Sequence, residues 1–122
     1  MFKVGIDLIE VKRFKNISQK KKFLENVFTE KELKHCKKKP AESLAGRFAA
    51  KEATRKTIED KIAFNEIEIT NDKNGAPEVK FLNKRIEKKY KSIISISHTR
   101  SMAQAVCITF KNERQKMHSI RP

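Results

Sequence analysis

Three groups of residues have types and spacings that can do chemistry. Gly5-Ile6-Asp7 puts one carboxylate inside an otherwise apolar strand. An ionised carboxylate there must be paired, metal-bound or turned to solvent, because isolation in apolar surroundings is costly. Strand alternation allows the plain alternative, an exposed position on a half-buried strand. Glu52 and Lys56 stand four apart in KEATRK and share one helical face. An ordinary surface pair has the same spacing. Arg47, Lys51 and Arg55 make that helix dense in cations able to meet phosphates. Ser95-Ile96-Ser97-His98-Thr99 ends an apolar strand with hydroxyls and one imidazole. A structural histidine is the plain reading, but hydroxyls and amides at a strand end also suit phosphate.

These groups need a scaffold, and the composition bounds it. The chain has 122 residues, enough for one domain with one core. It is 38% apolar and 36% charged, a thin core that leaves room for subunit contacts. Lys and Arg number 29 against 15 acids, a net charge of +14, so an anionic partner is expected. Cys36 and Cys107 are too few for a disulfide scaffold or a zinc site and read as reduced thiols. The N-terminus reads as a first strand and not a signal peptide, and no segment has the length of a membrane span. The expectation is a soluble, cytoplasmic protein.

Residues 4–11 read as a strand. Residues 12–23 read as a basic helix with Phe14, Ile17 and Phe23 on a narrow stripe, broken near Ser18. Thr29 and Glu32 form a capping box for a second helix, which Pro40 is expected to stop. The strongest helix pattern runs from Ala41 to Ile58, with Gly46 permitting a close approach. Strands at 66–70 and 78–82 flank a turn centred on Asn74-Gly75. A short helix at 83–90 precedes strands at 92–97 and 105–110, joined by HTRSMAQ. The fold class is α+β, an antiparallel sheet with a long central helix packed to one side. Residues 1–110 form one domain and 111–122 a basic tail.

Gly-Ile-Asp, Phe-Thr-x-x-Glu, Arg-Phe-Ala-Ala-Lys-Glu-Ala, Asn-Gly-x-Pro and Ser-x-Ser-His-Thr occur in that order from about Val4 to Phe110. The chain resembles the holo-acyl-carrier-protein synthases, the small stand-alone 4′-phosphopantetheinyl transferases. The resemblance implies transfer of phosphopantetheine from coenzyme A to a serine of apo acyl carrier protein, with release of adenosine 3′,5′-bisphosphate. It implies Mg²⁺ as the ion, a place in fatty acid biosynthesis, and a homotrimer with sites between subunits. Asp7 and Glu52 match the family's metal-binding acids, and Lys56 matches the catalytic lysine beyond them. Two carboxylates plus substrate phosphate also suit the hard-oxygen preference of Mg²⁺. Arg47, Gly75, Pro77, Ser97, His98 and Thr99 fall in the motifs that bind coenzyme A. Arg13 matches a family arginine on the carrier-receiving helix, and Lys20, Lys21 and Lys22 match that helix in character. The general base is left between a metal-bound water and a nearby acid such as Glu32.

Three positions depart from the family pattern. Ala76 stands where the turn often has Lys, Asn26 where Arg is usual, and TIEDKIAF replaces a glycine-rich stretch after the long helix. The alternative from another class is a small basic nucleic-acid-binding protein using Lys20–Lys22 and Lys37–Lys39 as a phosphate footprint. Against it stand the lack of a recognition-helix signature and of aromatic-interleaved basic strands. No nucleic acid and no membrane are expected as partners.

Overall fold

The computed structural model describes residues 1–112. Strands β1 (Phe2–Glu10), β4 (Tyr90–His98) and β5 (Met102–Lys111) form an antiparallel sheet in the order β1-β5-β4. Strands β2 (Ile67–Asn71) and β3 (Pro77–Phe81) pair as a separate hairpin. Helices α1 (Lys21–Val27), α2 (Glu30–His35), α3 (Pro40–Arg55) and α4 (Lys84–Lys89) complete the unit. The architecture is α+β, as the strand and helix patterns predict.

Helix α3 organises the core because its inward stripe is small. Ala45, Ala49 and Ala53 recur every four residues and are fully buried. Opposite them Ala103, Ala105 and Cys107 line the inner face of β5. Small residues on both sides let helix and sheet come close, and Gly5 takes this furthest. A Cβ built on Gly5 would lie 2.1 Å from the Ala53 carbonyl oxygen. Glycine is therefore required in Gly-Ile-Asp to seat β1 against the C-terminal half of α3. Gly5→Ala should destabilise the fold by about 1–3 kcal/mol or more, as overpacking of a rigid contact does. Thermal denaturation checks this; an unchanged melting temperature would show that the two backbones separate freely.

Several sequence expectations are corrected. Residues 12–23 are not one helix. A 3-10 turn covers Val11–Phe14, a second covers Ile17–Gln19, and Asn16 between them has φ 60°. A left-handed residue cannot propagate a right-handed helix, so the stripe of Phe14, Ile17 and Phe23 reaches the core in three short pieces. Pro40 does not stop a helix but opens α3 at its first position, where a missing N–H costs nothing. Helix α2 has already ended at His35. The last connection is tighter than HTRSMAQ: β4 runs to His98, β5 starts at Met102, and Thr99 N–H donates to the Met102 carbonyl. The Thr29–Glu32 capping box forms as read, with both reciprocal bonds present. The tail read at 111–122 contributes Lys111 to β5, and residues 113–122 lie outside the described residues.

The alternation of β1 points the opposite way from the usual one. Gly5, Asp7 and Ile9 share the face that packs on α3. Phe2, Val4, Ile6 and Leu8 point away and are exposed, Leu8 at 60%. The same outer face carries Phe110 and Ile93, also exposed, with Val106 and Ile108 between the edge strands. Phe2 and Phe110 pair across it with ring centroids 5.9 Å apart.

Candidate active site

Asp7 reaches its place because Gly5 seats β1 on α3. Its side chain is 19% exposed and faces the helix's C-terminal end. There Lys56, the C-cap residue of α3, folds back over the strand. Its ammonium donates to the Ile6 carbonyl at 2.7 Å and lies 3.4 Å from Asp7 Oδ1. Glu52 stands one turn earlier on α3 and is half-buried. Two elements thus bring two carboxylates and one ammonium to the end of one helix. Among the described residues no group of three or more His, Cys, Asp or Glu gathers as for a metal held by protein alone. Two carboxylates leaving positions for phosphate and water fit Mg²⁺ and not a closed zinc site.

The other predicted ligands lie elsewhere in the chain. Arg47 is half-buried on α3, and its Nε is buried without a hydrogen-bond partner among the described residues. Burial pushes the nearby Cys36 thiol up, and the Arg47 charge partly offsets that. His98 Nδ1 lies 3.7 Å from Glu42 Oε2, near the N-terminal end of α3. Glu42 and Glu52 are ten residues apart, so about 15 Å of helix separates the two ends. Ser97 and His98 are neighbours on a strand and point to opposite faces, Ser97 to the outer apolar one. Thr99 Oγ1 accepts from Ser101 N at 3.3 Å and Met102 N at 3.2 Å, so it shapes the turn. Gly75, at φ 88°, and Pro77 sit on the β2–β3 hairpin. Asp72 Oδ1 fastens its loop by accepting from Asn74 N and Ala76 N. One chain therefore gathers Asp7 and Lys56 at the end of α3 bearing Glu52, with Arg47 midway along the helix and His98 beside Glu42 near its other end.

Glu32 is corrected as a candidate base. It is completely buried, and its Oε1 lies 2.7 Å from Lys51 Nζ, itself completely buried. Its oxygens also accept from Thr29 N and Ile69 N, each at 2.8 Å. A carboxylate with all its partners inside the protein cannot receive a proton from a docked substrate. Lys51 is corrected too: it is not a surface cation. Burial pulls its ammonium below the ordinary lysine range, and Glu32 opposes that shift. The available signal was the flanking Ala49, Ala50 and Ala53, which mark the most buried stretch of α3.

The segment replacing the family's glycine-rich stretch is fastened by side chains. Asp60 accepts from the Tyr90 hydroxyl at 2.6 Å and from Lys89 at 3.0 Å. Burial and Asp60 push the Tyr90 phenol up to about 12. The Arg55 guanidinium stacks 4.2 Å above the Phe64 ring. Exposed cations follow β1 in the chain. Arg13 sits over the Phe48 ring at 5.8 Å, Lys20 is the N-cap of α1, and Lys21 and Lys22 open that helix. Cations at a helix N-terminus oppose its dipole, and no acid balances them in the first turn. Together with Phe14, Ile17 and Phe23, Arg13 and Lys20 line a small apolar hollow.

Known proteins are similar to this chain over most of its length. The family model of the 4′-phosphopantetheinyl transferase superfamily matches residues 3–110. A holo-[acyl-carrier-protein] synthase of Caldicellulosiruptor saccharolyticus is 44% identical over 93% of this chain and 99% of that protein. One from Clostridium tetani is 44% identical over 86% of this chain and 92% of that protein. Among solved structures, Helicobacter pylori holo-[acyl-carrier-protein] synthase in complex with coenzyme A superposes with a TM-score of 0.77. It is 31% identical and covers 88% of this chain and 100% of its own. A Bacillus anthracis holo-(acyl-carrier-protein) synthase in complex with CoA (3',5'-ADP) gives 0.74 at 32% identity, over 89% of this chain and 95% of its own. Motif order, fold and relatives agree, and the chain belongs to the 4′-phosphopantetheinyl transferase superfamily.

Proposed function

We propose that this chain is a holo-acyl-carrier-protein synthase. It transfers 4′-phosphopantetheine from coenzyme A to a serine of apo acyl carrier protein and releases adenosine 3′,5′-bisphosphate. The observation that carries this reading is the placement of Asp7 and Lys56 against each other at the end of α3 that bears Glu52. The nucleic-acid alternative has no counterpart to that acid–ammonium arrangement.

The serine oxygen attacks the phosphorus that bears the pantetheine arm and gives up its proton to solvent water. The pyrophosphate P–O bond breaks, and its electron pair leaves on the nucleotide's 5′-phosphate. Asp7 and Glu52 would hold Mg²⁺, which supplies charge neutralisation to the two phosphates. Lys56 stabilises negative charge gathering on the bridging and leaving oxygens, as preorganised cations do in phosphoryl transfer. The Ile6 carbonyl and Asp7 hold its ammonium in place beforehand. Arg47 offers a planar fork suited to the 3′-phosphate. Gly75, Pro77, Ser97, His98 and Thr99 complete the nucleotide contacts. Arg13, Lys20, Lys21 and Lys22 receive the acidic carrier.

The 3′-phosphate and the pyrophosphate hang from one ribose, yet Arg47 and His98 lie well away from Lys56 along α3 in a single chain. A homotrimer resolves this by bringing the phosphate-reading end of one copy to the Asp7–Glu52–Lys56 end of its neighbour. The outer face of Phe2, Val4, Ile6, Leu8, Ile93 and Phe110 supports that assembly, because monomers rarely expose so contiguous an apolar patch. Residues 1–110 serve as the catalytic unit, working in the cytoplasm in fatty acid biosynthesis. Among the described residues no helix is long and apolar enough to cross a membrane.

Incubation with coenzyme A, Mg²⁺ and apo acyl carrier protein, read by intact mass, should add one phosphopantetheine to the carrier's serine. No increment on any of several apo carriers would sink the reading. Arg47→Ala should weaken coenzyme A by about tenfold or more while leaving dephospho-coenzyme A nearly unchanged, the signature of a lost charged contact. Equal loss for both donors would remove Arg47 from the 3′-phosphate.

A further inference from the structure

The buried pair Lys51–Glu32 has no part in the chemistry above, yet it is the most heavily connected polar group in the core. Removing two charges from water is expensive, and an apolar pair of similar volume often holds a fold as well. Its geometry suggests why it is here. Lys51 Nζ reaches Glu32 Oε1 at 2.7 Å, the Val27 carbonyl at 2.8 Å, the Phe64 carbonyl at 2.9 Å and the Ile67 carbonyl at 2.5 Å. Val27 is the last residue of α1, and Glu32 is tied to Thr29, the N-cap of α2. Phe64 opens the 3-10 turn before β2, and Ile67 begins that strand. Ile69 N then donates to Glu32 Oε2 and closes the network. One ammonium on α3 therefore fixes the ends of two other helices and the entry to a strand.

Lys51 directly precedes Glu52. Successive helical residues point about 100° apart. The inward anchor thus leaves Glu52 on a neighbouring face of α3, four residues before Lys56 and on the same face as it. The anchor also grips α1, the helix that opens with Lys21 and Lys22.

We infer that the Lys51–Glu32 pair is a positioning device: it fixes α1 relative to Glu52, so that a carrier docked on α1 presents its serine to the phosphate held at the end of α3. This rests on the proposed synthase reading. Neither residue touches a substrate, so loss of the pair should slow the transfer and leave the binding of each substrate alone.

The test uses the full chain with coenzyme A, Mg²⁺ and apo acyl carrier protein. Lys51→Met combined with Glu32→Gln removes both buried charges together, where either change alone would strand the other. Turnover is expressed per coenzyme A-binding site, counted by calorimetric titration, so unfolded protein does not enter. The expected result is a kcat about 30-fold lower or more, with Kd for coenzyme A and KM for the carrier within about threefold of the wild type. A pair that only stabilises the fold would reduce the number of sites and not the rate at each. A kcat per site within about threefold of the wild type therefore overturns the proposal. Should the double variant not fold, amide exchange in the wild type decides. Apo carrier with coenzyme A should slow exchange at Thr29 and Ile69, both donors to Glu32, more than in the β4–β5 ladder. Equal or no slowing overturns it. A wild-type chain that modifies no carrier overturns the synthase reading, and the positioning role falls with it.

Discussion

Asp7→Asn and Glu52→Gln should each lower turnover by roughly 10²–10³-fold or more, with coenzyme A and carrier saturating. The size follows from what one charge does in phosphoryl transfer, where catalysis is positioning and electrostatics and one misplaced stabilising group costs that much. Both substitutions keep shape and remove charge. Asp7→Asn also breaks the contact with Lys56, but that ammonium is 52% exposed and keeps its bond to the Ile6 carbonyl. An exposed pair of this kind contributes about 0–1 kcal/mol, so the melting temperature should hardly move. Lost activity with kept stability separates a role in the site from damage to the fold. Raising Mg²⁺ should recover part of the activity, because a weakened site can still be filled by mass action. Near-normal turnover of either variant at limiting Mg²⁺ would take that residue out of the metal site.

What could be read from the residues divides along a physical line. Local signals carried well. The Thr29–Glu32 capping box, the Ala-rich α3 and the turn at Asn74-Gly75 all depend on neighbours in the chain. Signals that depend on distant partners did not carry. Pro40 suits a helix start as well as a helix end, and only the conformation at Lys39, with φ 46°, shows that a new helix begins after it. The stripe of Phe14, Ile17 and Phe23 has helical spacing, but Asn16 turns left-handed and splits it. Lys51 lies in a cation-rich helix and looks like its neighbours until three carbonyls and Glu32 close around it. The site divides the same way. Motif order singles out Asp7, Glu52 and Lys56 as candidates; Asp7 and Lys56 meet at the end of α3, one turn beyond Glu52. Motif order also groups Arg47 and His98 with them, and in a single chain His98 lies instead beside Glu42, near the other end of α3. Strand alternation predicts that apolar residues of β1 point inward, but Gly5 and Asp7 take the inner face. The apolar residues left outside make sense once a second surface is supplied for them.

That surface gives the sharpest test of the proposed trimer. Arg47→Ala and Glu52→Gln chains should each be almost inactive at limiting coenzyme A. Mixed in equal amounts and allowed to exchange subunits, they should regain about a quarter of the wild-type activity. The fraction follows from ring symmetry: every site takes its metal end from one copy and its phosphate end from the next. A site is intact when the first copy retains Glu52 and the second retains Arg47, which is about one half times one half in a random mixture. Ile6→Glu in both chains should abolish the recovery. It puts a charge on the outer apolar face beside Val4, Leu8 and Val106, and an unpaired charge buried there on assembly is costly enough to prevent it. Light scattering would then report single chains, still folded because residue 6 takes no part in the inner core. No regained activity in a mixture that mass measurement shows to be mixed trimers would mean that each chain builds its site alone. In that case Arg47 and His98 must read something other than the phosphate held by Asp7, Glu52 and Lys56.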